Sequence, residues 1–445
     1  MKDDFTAKGK SLMKDVRQHA LSMLIALLFL IIAVSIFFIV RQSMMVTDAY
    51  MITNVPQAVF YAEQFNVQQK RYKIHCIYEK NLEKIQQTNT RKKFPALIFG
   101  NHIFSEKVLP QLDDISYLFA TLSISRRDFY ESLLQSGLIQ NRQLLLPVSF
   151  NIPLVIMPKN FDSAAMEPGA ALEPGVITQI QDLRVQSNSF IKKQKNEYTA
   201  IGFHPLWSDE AMYYLFKAFN SNFRVQKDLQ WDQNNFNTAL KYLKSWFDTD
   251  IITVPAVLDF KQKYEQIPPD LQLSLKKTQA WVISSKTYLL LDESRRSALK
   301  YSWLAHNNSI PVDDDAVFLG ILSNGKSKDV AEAFIKWFYQ YETQKKLMEL
   351  NKLFRLDEID FGIANGFSAL IDVTEKVFPL YYKELLGKLP PKLMISTINV
   401  LPDNWQVFYK KFILPLVYEW LSAEEIFNIN ERIAQEYSKW KELNQ

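Results

Sequence analysis

One apolar run near the amino terminus, Leu21–Val40, constrains the whole chain. It reads LSMLIALLFLIIAVSIFFIV and contains no charged residue, no proline and no glycine. At about 1.5 Å of rise per residue, a helix of about 20 residues matches the roughly 30 Å apolar core of a bilayer. The run predicts one transmembrane helix over residues 21–41, between a head of residues 1–20 and a body of about 400 residues.

The charges that flank this run predict its orientation. Only Arg41 follows it closely, whereas five basic residues precede it, namely Lys2, Lys8, Lys10, Lys14 and Arg17. Positive charge next to a membrane span stays on the cytoplasmic side. We therefore expect a single-pass protein of the cytoplasmic membrane, with its amino terminus inside and its body extracytoplasmic.

A cleaved secretory signal is the alternative interpretation of the same run. Ala33 and Ser35 are small enough for a cleavage site, but Ile36–Val40 continues the apolar run behind them. Signal peptides have shorter apolar regions that end at the cleavage site. An uncleaved signal anchor is therefore favoured. A lipid anchor is not expected, because the only cysteine, Cys76, lies deep in the body.

The composition of the chain limits how the body is stabilised and what it binds. A single cysteine forms no internal disulfide, so stability must come from core burial, for which the 48% hydrophobic content suffices. A body of this size normally divides into two domains. The 52 basic and 48 acidic residues give a net charge of +4, which is too balanced to indicate a nucleic-acid partner.

The first part of the body alternates between strand and helix patterns. Tyr50–Thr53, Tyr72–Tyr78 and Pro95–Asn101 are typical of strands, and Pro56–Gln69 and Asn81–Gln87 are typical of helices. Strands that alternate with helices favour a parallel sheet with helices on both faces. The predicted fold class is therefore α/β.

Three prolines interrupt the apolar segment Leu144–Phe161, at Pro147, Pro153 and Pro158. Proline cannot donate a hydrogen bond to a sheet, so these strands should lie at an edge or change partner here. We interpret this segment as a first crossing between two lobes, with the return near His306–Asp315. The predicted lobes interleave: lobe I comprises 46–149 and 306–368, and lobe II comprises 150–305 and 369–445.

The order of segments in the body resembles a known family. The stretches that carry the resemblance are FPALIFGNHIF, LLLPVSFNIPLVIMPKNF, TQAWVISSKTYLL, SNGKSKDVAEAFIKWF and LPDNW. Over roughly residues 46–445 they resemble family 1 extracytoplasmic solute-binding proteins, the sugar-binding group that includes maltodextrin-binding proteins. The resemblance implies a two-lobed periplasmic-binding-protein fold. It also implies a carbohydrate ligand in the cleft between the lobes and delivery of that ligand to ABC permease subunits.

The chain departs from this family pattern in ways that leave the ligand open. Ser284, Ser285 and Lys286 replace glycines that are typical of a second-lobe strand, and Ser149 replaces a carboxylate that maltodextrin binders often carry. An anchored binding-protein-like scaffold or sensor domain that does not feed transport is therefore an alternative function. A glycan-acting enzyme is a third.

No motif in the sequence points to an enzyme. There is no nucleophile elbow, HExxH motif or Walker motif, and the five histidines are scattered. We interpret the acidic clusters Asp113-Asp114 and Asp313–Asp315 as solvated carboxylates, and the pair Tyr213-Tyr214 as a packing feature. The sequence therefore predicts a binding protein without a metal or cofactor.

The candidate ligand residues follow predicted strands. In open α/β sheets a ligand lies beyond the carboxyl ends of the strands. Aromatic faces cover the C–H patches of a sugar, and short polar groups satisfy its hydroxyls. By this rule the candidates are Asn101, Ser149, Asn151, His204, Trp207 and Tyr288. Trp405 joins them because aromatic residues at that position commonly face the cleft in the resembled family.

Overall fold

The computed structural model describes most of the body. The described residues are 32, 46–85, 94–121, 124–159, 176–195, 197–225, 228–248, 252–399, 401–402, 404–423, 425 and 427–444. Apart from Ile32, the predicted head and transmembrane segment 21–41 lie outside these residues. Within the described part, no helix is both long and apolar enough to span a bilayer.

The strands of the described residues form two larger sheets and three small hairpin pairs. In chain order they are β1 (Thr47–Thr53), β2 (Tyr72–Tyr78), β3 (Leu97–Gly100), β4 (Leu138–Ile139), β5 (Arg142–Gln143), β6 (Leu146–Phe150), β7 (Pro153–Pro158), β8 (Ile177–Gln179), β9 (Lys192–Gln194), β10 (Glu197–Ala200), β11 (Arg224–Val225), β12 (Leu229–Gln230), β13 (Trp281–Ser284), β14 (Leu299–Ala305), β15 (Val317–Ile321) and β16 (Phe367–Ser368).

The first large sheet has six strands in the order β16-β6-β15-β3-β1-β2. Strand β1 is parallel to both β2 and β3, which confirms the parallel arrangement predicted for the first three strands. Strand β15 then pairs antiparallel with β3 and β6, and β16 pairs antiparallel with β6. The sheet is therefore mixed. All four residues of β3 are buried, as expected for a central strand.

The second large sheet has four strands in the order β13-β7-β14-β8. Strand β7 pairs antiparallel with β13 and β14, and β14 pairs parallel with β8. Two segments cross between the sheets. Residues 151–152 join β6 to β7, and residues 306–316 join β14 to β15. The lobe boundaries predicted from the sequence stay a prediction.

The proline-rich segment changes sheets, but its strands are not edge strands. Strand β6 lies between β16 and β15, and β7 lies between β13 and β14. Pro147 is accommodated because the pairing of β6 with β15 shifts register beside it. Pro153 and Pro158 are the first and last residues of β7, where a missing donor disturbs the sheet least. Of the two alternatives predicted for this segment, an edge position or a change of partner, the structure shows the change of partner.

Helices cover these sheets. The α-helices of the described residues are Gln57–Gln68, Leu118–Thr121, Glu131–Ser136, Ile180–Ser189, Asp209–Ala218, Gln233–Lys244, Val254–Tyr264, Pro269–Ser274, Ser285–Leu289, Glu293–Ser297, Lys328–Phe338, Tyr341–Leu353, Ile371–Lys376, Phe378–Tyr381, Trp405–Phe408, Leu414–Ser422 and Ile429–Asn444. A π-helical turn, Tyr409–Ile413, joins the helices that begin at Trp405 and Leu414.

Aromatic packing fixes a helix onto the first sheet. In the helix Lys328–Phe338, the ring of Phe338 lies 5.4 Å from Tyr61 and 5.8 Å from Phe99 of β3, measured between centroids. Phe334 of the same helix lies 5.5 Å from Phe65. These side chains are buried, so they hold the strand ends, and with them the loops that follow, in a fixed arrangement.

Candidate functional site

The cleft is a cavity of about 200 Å³ at the carboxyl ends of β1, β2 and β3. One wall consists of residues from the loops that follow these strands, and the other consists of Val225 and residues from the carboxyl-terminal part of the chain. The lining residues are Asn54, Lys80, Asn81, Leu82, Glu83, Asn101, His102, Val225, Pro402, Asn404, Tyr437, Trp440 and Lys441. This is the position in which open α/β sheets bind ligands.

A pair of asparagines fixes the first wall. Asn54 donates from Nδ2 to the side-chain oxygen of Asn101 at 2.7 Å and to its carbonyl oxygen at 3.2 Å. The backbone N–H of Asn101 donates back to Asn54 Oδ1 at 3.1 Å. Gly100 permits this approach, because a Cβ there would lie 2.5 Å from Asn54 Oδ1. The loops after β1 and β3 are therefore held together, with amide groups at the cleft surface.

Aromatic rings form the second wall. Tyr437 and Trp440 lie three residues apart on the helix Ile429–Asn444, with ring centroids 5.8 Å apart. Phe408 packs behind both, at 5.2 Å from Tyr437 and 5.4 Å from Trp440. Because it is supported in this way, the partly exposed Trp440 offers a ligand a rigid aromatic surface.

The charges of the cleft are partly paired with residues outside its lining. Lys441 forms an ion pair with Asp228 at 2.8 Å, and Glu83 forms one with Lys107 at 3.3 Å. Asn81 caps the short turn that carries Glu83, accepting its backbone N–H at 2.9 Å. With amides, an imidazole and an indole also present, the lining suits a ligand that combines hydroxyl groups with an apolar face.

A second cavity, of about 300 Å³, lies beside the crossing segment 306–316. Its lining is Asp209, Glu210, Tyr213, Tyr214, Asp313, Asp315, Gln406 and Lys410. Asp313 accepts hydrogen bonds from Tyr214 Oη and from Ser284 Oγ, each at 2.6 Å. Loss of hydration, and next the negative charge of Asp315, raise the pKa of Asp313 to about 7.

The adjacent Asp314 forms a buried ion pair with Lys217, with only 6% and 3% of the two side chains exposed. It also accepts a hydrogen bond from Tyr213 Oη. The interpretation of Asp313–Asp315 as solvated carboxylates was therefore wrong for Asp314, because its charge is compensated inside the protein. Tyr213 and Tyr214 are packed, as predicted, and their hydroxyls also bind the two aspartates.

Of the seven residues proposed from the sequence, Asn101 lines the cleft. Trp207 lines a different cavity, of about 280 Å³, and stacks on Phe260 with centroids 5.3 Å apart. Trp405 is only 1% exposed and donates from Nε1 to Tyr213 Oη at 3.0 Å. It follows Asn404 of the cleft wall, but its own ring packs inward against Phe223.

The other four proposed residues are buried and form internal contacts. Ser149 donates to the carbonyl of Ala364 at 3.1 Å. Asn151 donates to the carbonyl of Asn365 at 2.9 Å and accepts from Ser285 Oγ at 3.0 Å.

His204 packs its ring 5.2 Å from that of Trp246, and burial lowers its pKa to about 3, so its imidazole is neutral. Tyr288 packs 5.0 Å from Tyr301, and burial raises its pKa well above the ordinary value. The structure does not bring the seven residues together at one site. Their ligand-binding roles stay predictions.

Sequence reasoning did not identify Tyr437 and Trp440 as cleft residues. Their three-residue spacing places both on one side of the last helix, but that spacing does not show which element this side faces. Among the described residues, no group of three or more His, Cys, Asp and Glu side chains is arranged to hold a metal ion.

No protein-family model matches the chain, and no curated protein matches it as a relative. Many solved structures share its fold. The sugar-binding protein MalE from Xanthomonas citri aligns with a TM-score of 0.60 at 10% identity, over 89% of this chain and 97% of that one. A family 1 extracellular solute-binding protein from Alicyclobacillus acidocaldarius gives 0.59 at 14% identity, over 90% and 98%.

A third similar structure is the cyclic alpha-maltosyl-1,6-maltose binding protein from Arthrobacter globiformis. It aligns with a TM-score of 0.58 at 12% identity, over 88% of this chain and 97% of that one. Identities this low establish the fold only. The chain has the mixed α/β, two-lobed fold of the periplasmic sugar-binding proteins.

Proposed function

We propose that this protein binds a carbohydrate in the cleft and is the extracytoplasmic solute receptor of an ABC importer. The observation that carries the proposal is the composition of the two cleft walls. The linked amides of Asn54 and Asn101 follow the strands of the first sheet, and the supported indole of Trp440 faces them. The side-chain oxygen of Asn101 accepts from Asn54, whereas the NH2 group of Asn101 can donate to a sugar hydroxyl, and an aromatic ring covers the C–H face of a sugar.

A thermal-shift screen tests whether the protein binds sugars. The full chain in detergent is heated with neutral di- and trisaccharides, including maltose and mannobiose. A ligand that binds only the folded state raises the melting temperature by mass action. We expect at least one sugar to produce a rise that grows with its concentration. If no sugar in the panel does so, carbohydrate binding is contradicted.

Trp440→Ala should weaken binding of the sugar found in this way by about 2 kcal/mol, or about thirtyfold, as for an aromatic residue at the centre of a binding site. Trp337 is the matched control. It is also partly exposed, its Nε1 donates to Gln68 at 2.8 Å, and it does not line the cleft. Calorimetric titration should give Trp337→Ala the wild-type affinity. Equal losses of sugar affinity in both variants would show that Trp440 does not contact the sugar.

Attachment to the membrane through residues 21–41 is part of the proposal. It rests on the apolar run and on the basic residues before it. We expect the protein to remain in the membrane fraction after a carbonate wash, and added protease to degrade the body in intact spheroplasts. Release of a soluble body that begins after Ser35 would instead show a cleaved signal.

An anchored scaffold or sensor domain is the second candidate function. The observation that favours it is the internal use of several predicted ligand residues, since Ser149, Asn151 and Trp405 all form hydrogen bonds within the protein. Neighbouring genes for two multi-spanning permease subunits would favour transport. Their absence, together with a negative sugar screen, would favour the scaffold.

A further inference from the structure

The crossing segment 306–316 is fastened to the second sheet and its helices by a group of side chains that we call the hinge clamp. Two consecutive aspartates of the crossing segment each bind a tyrosine of the helix Asp209–Ala218. The hinge clamp consists of Tyr213, Tyr214, Lys217, Ser284, Asp313 and Asp314.

The hinge clamp also joins the two crossing segments to each other. The backbone N–H of Asp313 donates to the carbonyl of Asn151 at 2.9 Å. Asn151 lies in the first crossing and is held by Ser285, the residue after β13. These contacts therefore fix the two crossing segments to each other beside the second sheet.

The two aspartates of the hinge clamp differ in their electrostatic surroundings. Asp314 has Lys217 as a buried counter-ion. Among the residues that the structure describes, the donors to the side chain of Asp313 are the hydroxyls of Tyr214 and Ser284. An ionised Asp313 is therefore stabilised by hydrogen bonds but not by an ion pair. Burying the charge of Asp313 therefore costs more free energy than burying the charge of Asp314.

Other charged groups border the cavity beside Asp313. Glu210 comes from the helix of Tyr213 and Tyr214, and its side chain lies 3.1 Å from Tyr214 Oη. Asp315 comes from the crossing segment, and Lys286 lies 3.7 Å from it. Lys410 comes from the π-helical turn and partly offsets the charge of Glu210. The negative charges of Asp315 and Glu210 have the same sign as that of an ionised Asp313, and both add to the rise that burial causes in the pKa of Asp313.

We propose that the hinge clamp is a proton-operated lock: a proton on Asp313 keeps the crossing segment fastened, and loss of that proton loosens it. A neutral carboxyl keeps its contacts with Tyr214 and Ser284 without repelling Asp315 and Glu210. An ionised carboxylate gains by leaving the hinge clamp for water, where its hydration is restored. Proton binding at this residue thus selects between two arrangements of the crossing segment.

The sign of the pH dependence follows from linkage. In the fastened state the pKa of Asp313 is raised from 3.8 to about 7, whereas a hydrated Asp313 keeps its ordinary value. The fastened state therefore binds more protons between these two values. The free-energy advantage that the proton gives the fastened state over the open state is fully present below pH 3.8 and is lost as the pH rises towards about 7. We call the equilibrium constant between the fastened and the open state the opening constant. Between these two pH values the opening constant rises by at most about tenfold per pH unit, and above about pH 7 it no longer changes.

Hydrogen exchange of the full chain in detergent, followed by mass spectrometry of peptides that cover 306–316, measures this opening. Samples are compared between pH 4 and pH 8 after correction for intrinsic exchange rates. In the wild type, we expect the opening constant to rise towards pH 7 and then level off. Tyr214 and Ser284 bind different oxygens of Asp313. Asp313→Asn cannot ionise, and it offers one oxygen acceptor and one NH2 donor to these hydroxyls, as a protonated carboxyl offers one oxygen acceptor and one O–H donor. Burial also raises the pKa of Glu210, so this variant should lose most of the rise, but not all of it, and its opening constant should stay close to the low-pH value of the wild type.

Asp314→Asn is the matched control, since it changes the adjacent residue and leaves Asp313 able to titrate. Loss of its pairing with Lys217 should raise opening at every pH, while the rise towards pH 7 remains. A wild-type opening constant that does not vary with pH would overturn the proposal. So would an unchanged pH dependence in Asp313→Asn, or the loss of that dependence in Asp314→Asn. None of these outcomes depends on whether a sugar binds in the cleft.

Discussion

Replacing Lys217 by methionine should lower the free energy of unfolding by about 3–5 kcal/mol, the usual cost of leaving one partner of a buried ion pair alone. Both side chains of the Lys217–Asp314 pair are almost completely buried. Methionine fills a similar volume, so the loss reflects the uncompensated charge of Asp314 and not a cavity. Urea unfolding of the wild type and the variant measures the difference.

The double variant Lys217→Met/Asp314→Asn separates charge from packing. Asparagine keeps an oxygen that accepts the hydrogen bond from Tyr213, while the buried negative charge disappears. Because exchanging a buried ion pair for neutral groups of similar size is often nearly neutral, the double variant should recover most of the lost stability. If it is as unstable as the single variant, the charge is not the cause.

A surface pair is the control for the general effect of removing a lysine. Lys376 pairs with Asp372 at 2.8 Å on one helix, and 59% and 63% of the two side chains are exposed. Exposed pairs of this kind contribute little to stability, because solvent screens their charges. We therefore expect Lys376→Met to unfold at nearly the same urea concentration as the wild type. A comparable loss in both lysine variants would contradict the role given to burial at Lys217.

The sequence predicted those parts of the fold that depend on local patterns. Alternating strand and helix signals identified β1, β2 and β3, and β1 pairs in parallel with both of the others. The prolines of the segment 144–161 identified the place where the chain changes sheets. The strand and helix patterns and the prolines each lie in the segment whose structure they determine, so they can be recognised without knowing the distant contacts.

The predictions that failed or left alternatives open depend on partners far away in the chain. Asp314 was interpreted as solvated, but its counter-ion Lys217 lies 97 residues earlier in the chain. Of the two alternatives left open for the proline-rich strands, the choice of a change of partner over an edge position depends on β15 and β16, which flank β6 and come much later in the chain. Local patterns do not specify such pairings.

The candidate site illustrates the same limit. The rule for the carboxyl ends of strands depends only on where β3 ends, and Asn101, which it selects, lines the cleft. The opposite wall comes from the helix Ile429–Asn444 and could not be inferred, since the sequence does not show which face of the first sheet this helix approaches. Trp440 is a cleft residue only because of that tertiary contact.

Trp405→Ala should also lower the free energy of unfolding by about 3–5 kcal/mol, as expected when a large buried side chain is truncated. The indole is 1% exposed and lies 5.4 Å from Phe223 and 5.8 Å from Phe408. Trp440→Ala is the comparison, because that ring is partly exposed and its loss should cost much less stability. Urea unfolding of both variants measures this contrast.

Trp405→Phe separates the packing of the indole from its hydrogen bond. Phenylalanine keeps most of the apolar volume but cannot donate to Tyr213, whose hydroxyl in turn binds Asp314. A single neutral hydrogen bond contributes about 0.5–1.5 kcal/mol, so this variant should lose roughly a third of what alanine loses. A change of less than about 1 kcal/mol in Trp405→Ala, combined with a large loss of sugar affinity, would show instead that the ring is available to the ligand. The residue would then regain the role of aromatic platform predicted from the sequence.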